Sequence, residues 1–382
     1  MFPIRICLLV GTWFSPIWNE GPGFFFSDLS KILIKGGHEV TVLTLPWRWK
    51  QGMGKVRTLN AYLRNCIHLI LHGNYDFVIA PFWFYRDFMR YFFLSFVRTQ
   101  RIFVVCGSDW FDFRSKYAEK NFYYRFRVWL NERLWTAILR KASAIVSSPD
   151  LLDKVGTYFS VDKYKLEYIE LPVDTEKFNQ KVKPIFSIDV NKKVLIHISR
   201  LVEGRGLRCL LKALPFVIDY DSKIELLLIG DGPLRKELVS LANELGITDK
   251  VKFIGRIAHE DVPKYIAASD IGIQSASEGG GLGNVVREIM AMRKPIVTAN
   301  IHMQIKQVFV DQKCGLVISD PNDCRDLADK IIIYLSDEEE RTIRAANAYN
   351  YIVQNASYPA VSKKWNKLLI NLKHPDIEYS KN

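Results

Sequence analysis

The sequence predicts an α/β protein of two Rossmann-like βαβ domains, each a mostly parallel sheet covered by helices. Short apolar runs alternate with amphipathic stretches along most of the chain, the rhythm of strand, helix and next parallel strand. That rhythm breaks at a polar stretch, LPVDTEKFNQKVKPIF, which holds Pro172 and Pro184, and then restarts. With 382 residues, 48% of them hydrophobic, two cores of similar size are expected over a single large one.

The elements follow in order. IRICLLV (4–10) reads as a first buried strand, too short for a signal segment and running straight into a glycine loop. An amphipathic helix is predicted over 24–35, then strands at EVTVLT (39–44), FVIA (77–80), RIFVVC (101–106) and AIVSS (144–148), with a helix over 124–141. These complete a first domain, 1–180. The second, 181–358, repeats the pattern with strands at KVLIHI (193–198), IELLLIG (224–230), KVKFIG (250–255), DIGIQS (270–275), PIVTA (295–299) and GLVI (315–318). Pro233 suits the first turn of the helix after the second of these. The remainder, 359–382, holds an amphipathic stretch with no following strand, a helix free to pack across either domain and expected to return to the first, and a polar tail.

Charge narrows the partners. The formal net charge is +12, and the first 180 residues carry 24 Lys and Arg against 16 Asp and Glu. Anionic partners are implied. The basic residues form no recognition stripe, and helix-turn-helix, finger and RNP patterns are missing, which speaks against nucleic acid. Six cysteines without a CxxC pair suggest a reducing cytosol rather than disulfides or structural zinc. No uncharged apolar run approaches the roughly 18 residues of a spanning helix. A cytoplasmic protein is expected.

In such sheets ligands sit beyond the carboxyl ends of strands, and the informative residues gather there. Gly21 and Gly23 precede the first helix, and SRLVEGRGL follows 193–198. There is no GxGxxG fingerprint after the first strand and no P-loop. After 270–275 comes ASEGGGLGNVVREIM, three consecutive glycines before a helix that carries Glu288. The glycines read either as a tight turn or as a place where an anion lies against backbone N–H groups. Arg200 and Arg205 either face a diphosphate together or are solvated surface groups. Glu288 is either a first-turn acid favoured by the helix dipole or an acceptor for two adjacent hydroxyls, as on a ribose. No metal-ligand cluster stands at the strand ends.

SRLVEGRGLRCLLKALP, LLLIGDGPLRKELVSLANELGITDKVKFIGRIAHEDVPKYIAASDI and GLGNVVREIMAMRKPIVTAN closely resemble the donor-binding half of family 4 retaining glycosyltransferases, of the GT-B class (glycosyl transferases group 1). GPGFFFSDLSKILIKGGHEVTVLT, RKASAIVSSPDLLDKV and LPVDTEKF resemble that family's acceptor half and hinge, so the resemblance covers essentially the whole chain. It implies a GT-B fold with an inter-domain cleft and a nucleoside diphosphate sugar as donor, with no metal and no other cofactor. By the same resemblance Arg200 and Arg205 neutralise the diphosphate, Glu288 bonds the ribose, and Arg256 begins a loop beside the base. Gly21, Gly23, Gly281, Leu282, Gly283 and Asn284 are further donor contacts, with backbone donors following Gly281 and Gly283 meeting phosphate or sugar.

Two departures from the family pattern stand out. An acid eight residues before the ribose glutamate would contact the transferred sugar, but Gly280 stands there, and Glu278 lies ten residues before Glu288. Either the glycine turn carries Glu278 to the sugar as a catalytic contact or backbone alone makes that contact. In the first domain VVCGSDW puts Cys106 where relatives carry a histidine. Cys106 reads as a small buried hydrophobe or as a polar substitute. Asp109 either orients the acceptor hydroxyl or serves as a helix cap or partner of Arg114. In the front-face mechanism proposed for the family, the departing phosphate oxygen takes the acceptor proton, so no side-chain base is obligatory.

The acceptor side rests on two segments. LPWRWKQGMGKVR (45–57) and FWFYRDFMRYFFLSFVR (82–98) mix aromatics with basic residues, suiting either the inner, anionic face of the plasma membrane or a basic loop beside an ordinary core helix. A lipid-linked phosphate or a glycan is the expected acceptor. The alternative is a catalytically weakened GT-B protein that binds a nucleotide sugar as a regulatory or structural module. The oligomeric state is left open.

Overall fold

The computed structural model describes residues 3–11, 22–45, 74–82, 99–105, 122–185, 192–277, 282–299 and 303–375. They fall into two compact units, Met1–Pro172 with Pro359–Asn382, and Val173–Tyr358. The break lies at Pro172, some residues before the expected 180, because Val173 already belongs to the second unit. Its N–H donates to the carbonyl of Ala356 at 2.9 Å, and its side chain is buried.

The first unit holds a six-stranded parallel sheet in the order β2-β1-β3-β4-β5-β6. Its strands are β1 (Arg5–Gly11), β2 (Glu39–Leu45), β3 (Phe77–Phe82), β4 (Gln100–Val105), β5 (Ala144–Ser147) and β6 (Leu166–Tyr168). The central strands are near-continuous apolar runs, with Ile6, Cys7, Leu8, Ile79, Ile102 and Phe103 wholly buried, as a sheet covered on both faces requires. Helices α1 (Pro22–Lys35), α2 (Phe122–Arg140) and α3 (Pro149–Phe159) belong to this unit. Helix α1 begins at Pro22, so Gly23 stands in its first turn rather than before it, as proline's fixed φ favours at a helix start.

The second sheet is also six-stranded and parallel, ordered β12-β11-β10-β7-β8-β9. It comprises β7 (Lys193–Ile198), β8 (Ile224–Ile229), β9 (Val251–Gly255), β10 (Ile271–Gln274), β11 (Ile296–Ala299) and β12 (Leu316–Ile318). Its helices are α4 (Leu207–Tyr220), α5 (Arg235–Glu244), α6 (Val262–Ala267), α7 (Asn284–Ala291), α8 (Cys324–Ser336) and α9 (Glu338–Asn355). Alternate strand residues feed two cores: Leu195, Leu226 and Ile273 pack with α4 and α8 on one face, while Ile196, Leu227 and Ile296 pack with α7 and α9 on the other. Pro233 lies in a turn before α5, whose N-cap is Leu234, and not in its first turn.

The last helix, α10 (Tyr358–Lys373), joins the first unit. Asn366 Oδ1 lies 2.8 Å from His38 Nε2, and Lys373 Nζ lies 3.0 Å from Asp76 Oδ2. The same carboxylate oxygen accepts the N–H of Arg5 at 2.8 Å.

Candidate functional site

The second sheet changes direction at its first strand. From β7 the chain runs outward through β8 and β9, then returns to lay β10 on the other edge of β7. The crevice beyond the carboxyl ends of β7 and β10 is thus a topological switch point, where open parallel sheets receive ligands.

The loop after β7 is held there by backbone contact. Gly206 adopts φ 69°, and a Cβ on it would stand 2.1 Å from the carbonyl oxygen of Ser275. No side chain fits such an approach. The N–H of Ser277 donates to Gly204 at 3.0 Å, the N–H of Leu201 donates to Asp231 at 3.0 Å, and the N–H of Leu234 donates to Leu201 at 3.1 Å. Loops from β7, β8 and β10 are therefore tied together, and the first of them carries both arginines. Arg200 is exposed and Arg205 half-buried.

Beneath them His197 is wholly buried, its Nε2 2.9 Å from Ser199 Oγ. Burial, opposed by a backbone hydrogen bond at Ile273 and aided by the charge of Arg205, pushes its pKa down to about 4. The ring is neutral near pH 7 and adds no positive charge to the loop.

Helix α7 starts at the opposite wall. Its N-cap is Gly283, and no side chain caps the helix. Gly283 and Asn284 are exposed, so the first-turn amides are open to a ligand. Gly272 on β10 lets the helix close on the sheet, since a Cβ there would lie 2.8 Å from Ile289 side-chain atoms. The amide of Leu282 is engaged: it donates to Oε1 of buried Gln304 at 2.9 Å. The donor expected after Gly281 is therefore turned into the fold.

Glu288 is the fifth residue of α7, and the first turn contains no acid. The dipole explanation for it does not apply, because that effect fades within the first turn. Its carboxylate is buried and accepts a hydrogen bond from His259 Nε2 at 2.8 Å. On the far side of the ring, Nδ1 lies 2.9 Å from Lys177 Nζ. An ammonium can only donate, so Nδ1 accepts and Nε2 carries the hydrogen that reaches Glu288. Asp174 presents the lysine: its Oδ1 accepts the N–H groups of Glu176 and Lys177 at 3.0 and 3.1 Å.

Residues 178–351 match the family model described as Glycosyl transferases group 1. The chain is 25% identical over 191 residues to an alpha-D-kanosaminyltransferase of Streptomyces kanamyceticus, covering 50% of this chain and 47% of that protein. It is 26% identical over 212 residues to a GDP-mannose-dependent alpha-(1-6)-phosphatidylinositol monomannoside mannosyltransferase of Mycobacterium tuberculosis, covering 52% and 54%. The chain spans about half the length of these relatives. A crystal structure of Anabaena Alr3699/HepE in complex with UDP is similar across 96% of this chain and 100% of that one, with a TM-score of 0.71 at 18% identity. The chain has the GT-B fold. Its second unit is related to the group 1 glycosyltransferases.

Within that unit, Arg200, Arg205, Leu282, Gly283, Asn284 and Glu288 lie on the loops and helix that border the β7/β10 switch point. Arg256 is exposed and opens the loop that carries His259. Gly21, Cys106, Asp109, Glu278, Gly280 and Gly281 lie outside the described residues, as do nearly all of 45–57 and 82–98. Among the described residues, no group of three or more His, Cys, Asp or Glu could hold a metal ion, and no helix is long and apolar enough to cross a membrane. Three residues that shape the site were not singled out from sequence: His259, Lys177 and Gln304. For the first two the only signals were an HED triplet beside Arg256 and the hinge-like LPVDTEKF.

Proposed function

We propose that this chain is a metal-independent retaining glycosyltransferase of the family 4 type, moving a sugar from a nucleoside diphosphate sugar to a hydroxyl or phosphate acceptor that is lipid-linked or part of a glycan. One observation carries the reading. At the switch point of the second sheet, two guanidinium groups on a braced loop and an uncapped helix N-terminus accompany a buried carboxylate. Guanidinium forks and amides attract a diphosphate, and a carboxylate buried beside them suits the hydroxyl pair of a ribose. As the bond from the sugar carbon to the phosphate oxygen breaks, the positive groups stabilise the charge that grows on the leaving diphosphate. The acceptor oxygen bonds to the same face of the sugar, and its proton passes to the departing phosphate oxygen.

The match to the group 1 model supports this reading, as does the likeness to a protein crystallised with UDP. The mannosyltransferase, whose name specifies GDP-mannose and a phosphatidylinositol mannoside, supports a lipid-linked acceptor. The first unit adds a surface suited to the cytoplasmic face of an anionic membrane. Along α2 the exposed rings of Phe122, Phe126 and Trp129 stack at 6.5 and 5.8 Å, with the Arg133 guanidinium 5.9 Å over Trp129. Aromatic rings beside guanidinium groups suit the headgroup level.

The test is a screen of nucleotide sugars for protection against thermal unfolding, followed by NMR of the anomeric configuration in the transferred product. Retention is expected, and inversion would refute the mechanism. Gly280 and Cys106 favour a second reading, a donor-binding module without turnover, which predicts protection by a nucleotide sugar and no transfer to any acceptor.

A further inference from the structure

His259 lies on the loop that Arg256 opens after β9 and contacts Glu288, and Lys177, from the turn after Pro172, contacts His259. We infer that they form a positioning relay that sets how Glu288 recognises the ribose of the donor nucleotide. The inference rests on the reading of Glu288 as the ribose acceptor.

The relay is directional. Lys177 Nζ donates to His259 Nδ1 at 2.9 Å, which commits Nε2 to carry the ring hydrogen, and Nε2 donates to Glu288 Oε1 at 2.8 Å. The glutamate is thereby held by one oxygen, and Oε2 remains to accept from a hydroxyl pair. Without the lysine the ring is free to take the other tautomer and turn a lone pair toward the carboxylate, a repulsive contact at a buried site. The ring itself is fixed from a second side, where Phe178, buried in the core, packs with its centroid 5.6 Å away. Both Lys177 and Phe178 come from the turn that Asp174 organises, where Phe178 N–H donates to the Asp174 carbonyl at 2.8 Å. The hinge-like LPVDTEKF segment thus reaches the site through its lysine.

The relay acts on the ribose and not on the phosphates, which gives a readout that simple loss of packing would not produce. Titration calorimetry is run with UDP and GDP and with their 2′-deoxy and 3′-deoxy counterparts, on wild type, Glu288→Gln, His259→Ala, His259→Gln, Lys177→Met and Lys177→Arg. Thermal melts verify that each variant is folded. Wild type should prefer the ribonucleotide by about tenfold or more, the size of a hydrogen bond to a charged group. His259→Ala and Lys177→Met should shrink that preference to a few-fold while leaving affinity for the deoxynucleotides within about twofold. Lys177→Arg, which still donates, should restore it, and His259→Gln should restore part of it. Retention of the full preference in His259→Ala overturns the relay, as does an equal loss for ribo- and deoxynucleotides. A wild type that binds UDP or GDP without any ribose preference overturns the Glu288 reading itself, and the relay with it.

Discussion

Arg200 and Arg205 sit on the same loop but in different surroundings, and that difference sets the size of their expected effects. Arg205 is half-buried and Arg200 exposed, so solvent screens the second more. Arg205→Ala should weaken nucleoside diphosphate binding by about 2 kcal/mol and Arg200→Ala by about 1 kcal/mol, with little change for the nucleoside alone, as calorimetry would record. An equal loss for nucleoside and diphosphate would remove the phosphate role. His197 beneath the loop makes a separate prediction. Its folded pKa of about 4 lies below the ordinary 6.5, so between these values the unfolded chain binds the extra proton. The stability contributed by the neutral ring is complete above about pH 6.5 and falls away as pH drops toward 4, by about 3 kcal/mol in all. Denaturant unfolding across that range should show His197→Gln with a shallower acid slope than wild type, and equal slopes would contradict the assignment. Which loops follow the strand ends was legible in the sequence, because the apolar runs mark where each strand stops. The partner of Glu288 was not. His259 is 29 positions away and Lys177 82 positions from His259, and only the fold brings them together.

The strands were the most legible elements, since runs such as KVLIHI are rich in Val, Leu and Ile and coincide with β7. The strand β6 was not anticipated. It has three half-buried residues, Leu-Glu-Tyr, too few to show a period. Helix starts moved by a residue or two, as at Pro22 and Arg235, where turn geometry and not hydrophobic spacing decides. The loop after β7 offers a controlled test of why its glycine is needed. Gly206 and Gly246 both have φ 69°, but a Cβ on Gly246 meets nothing within 4 Å. Gly246→Ala should therefore cost only the backbone penalty, about 1 kcal/mol, whereas Gly206→Ala adds a clash with Ser275 and should cost about 1–3 kcal/mol more. Chemical denaturation measures both, and nucleotide affinity should fall only for Gly206→Ala. Equal losses would show that the loop is not held by contact with β10. Helix α2 carries the proposed membrane surface, whereas the segments from which membrane contact was expected, 45–57 and 82–98, lie almost wholly outside the described residues. Replacing Phe122, Phe126 and Trp129 together by Ser should reduce sedimentation with vesicles of phosphatidylglycerol and phosphatidylcholine by at least tenfold, given about 1.5 kcal/mol or more per ring. Unchanged sedimentation would assign the rings another purpose.

At the scale of the molecule, two features of the proposed chemistry meet in one experiment. On the proposed reading, guanidinium groups and an uncapped helix end at the switch point would neutralise the diphosphate in place of a divalent cation, in contrast to sites that hold it through a carboxylate-bound metal. The net charge of +12 also raises the local concentration of anionic donors, an effect that weakens with salt. Transfer from the donor selected by thermal screening should therefore proceed at an unchanged rate in EDTA. It should slow as ionic strength rises from low to physiological values, chiefly through KM, because screening acts on encounter more than on groups already in contact with the bound diphosphate. Abolition by EDTA with recovery on adding Mn2+ would mean that a metal carries the charge assigned to Arg200 and Arg205. Loss of kcat with KM unchanged would mean that salt disturbs the chemical step itself, and the arginines would then have to act mainly in the transition state rather than in drawing the donor to the site.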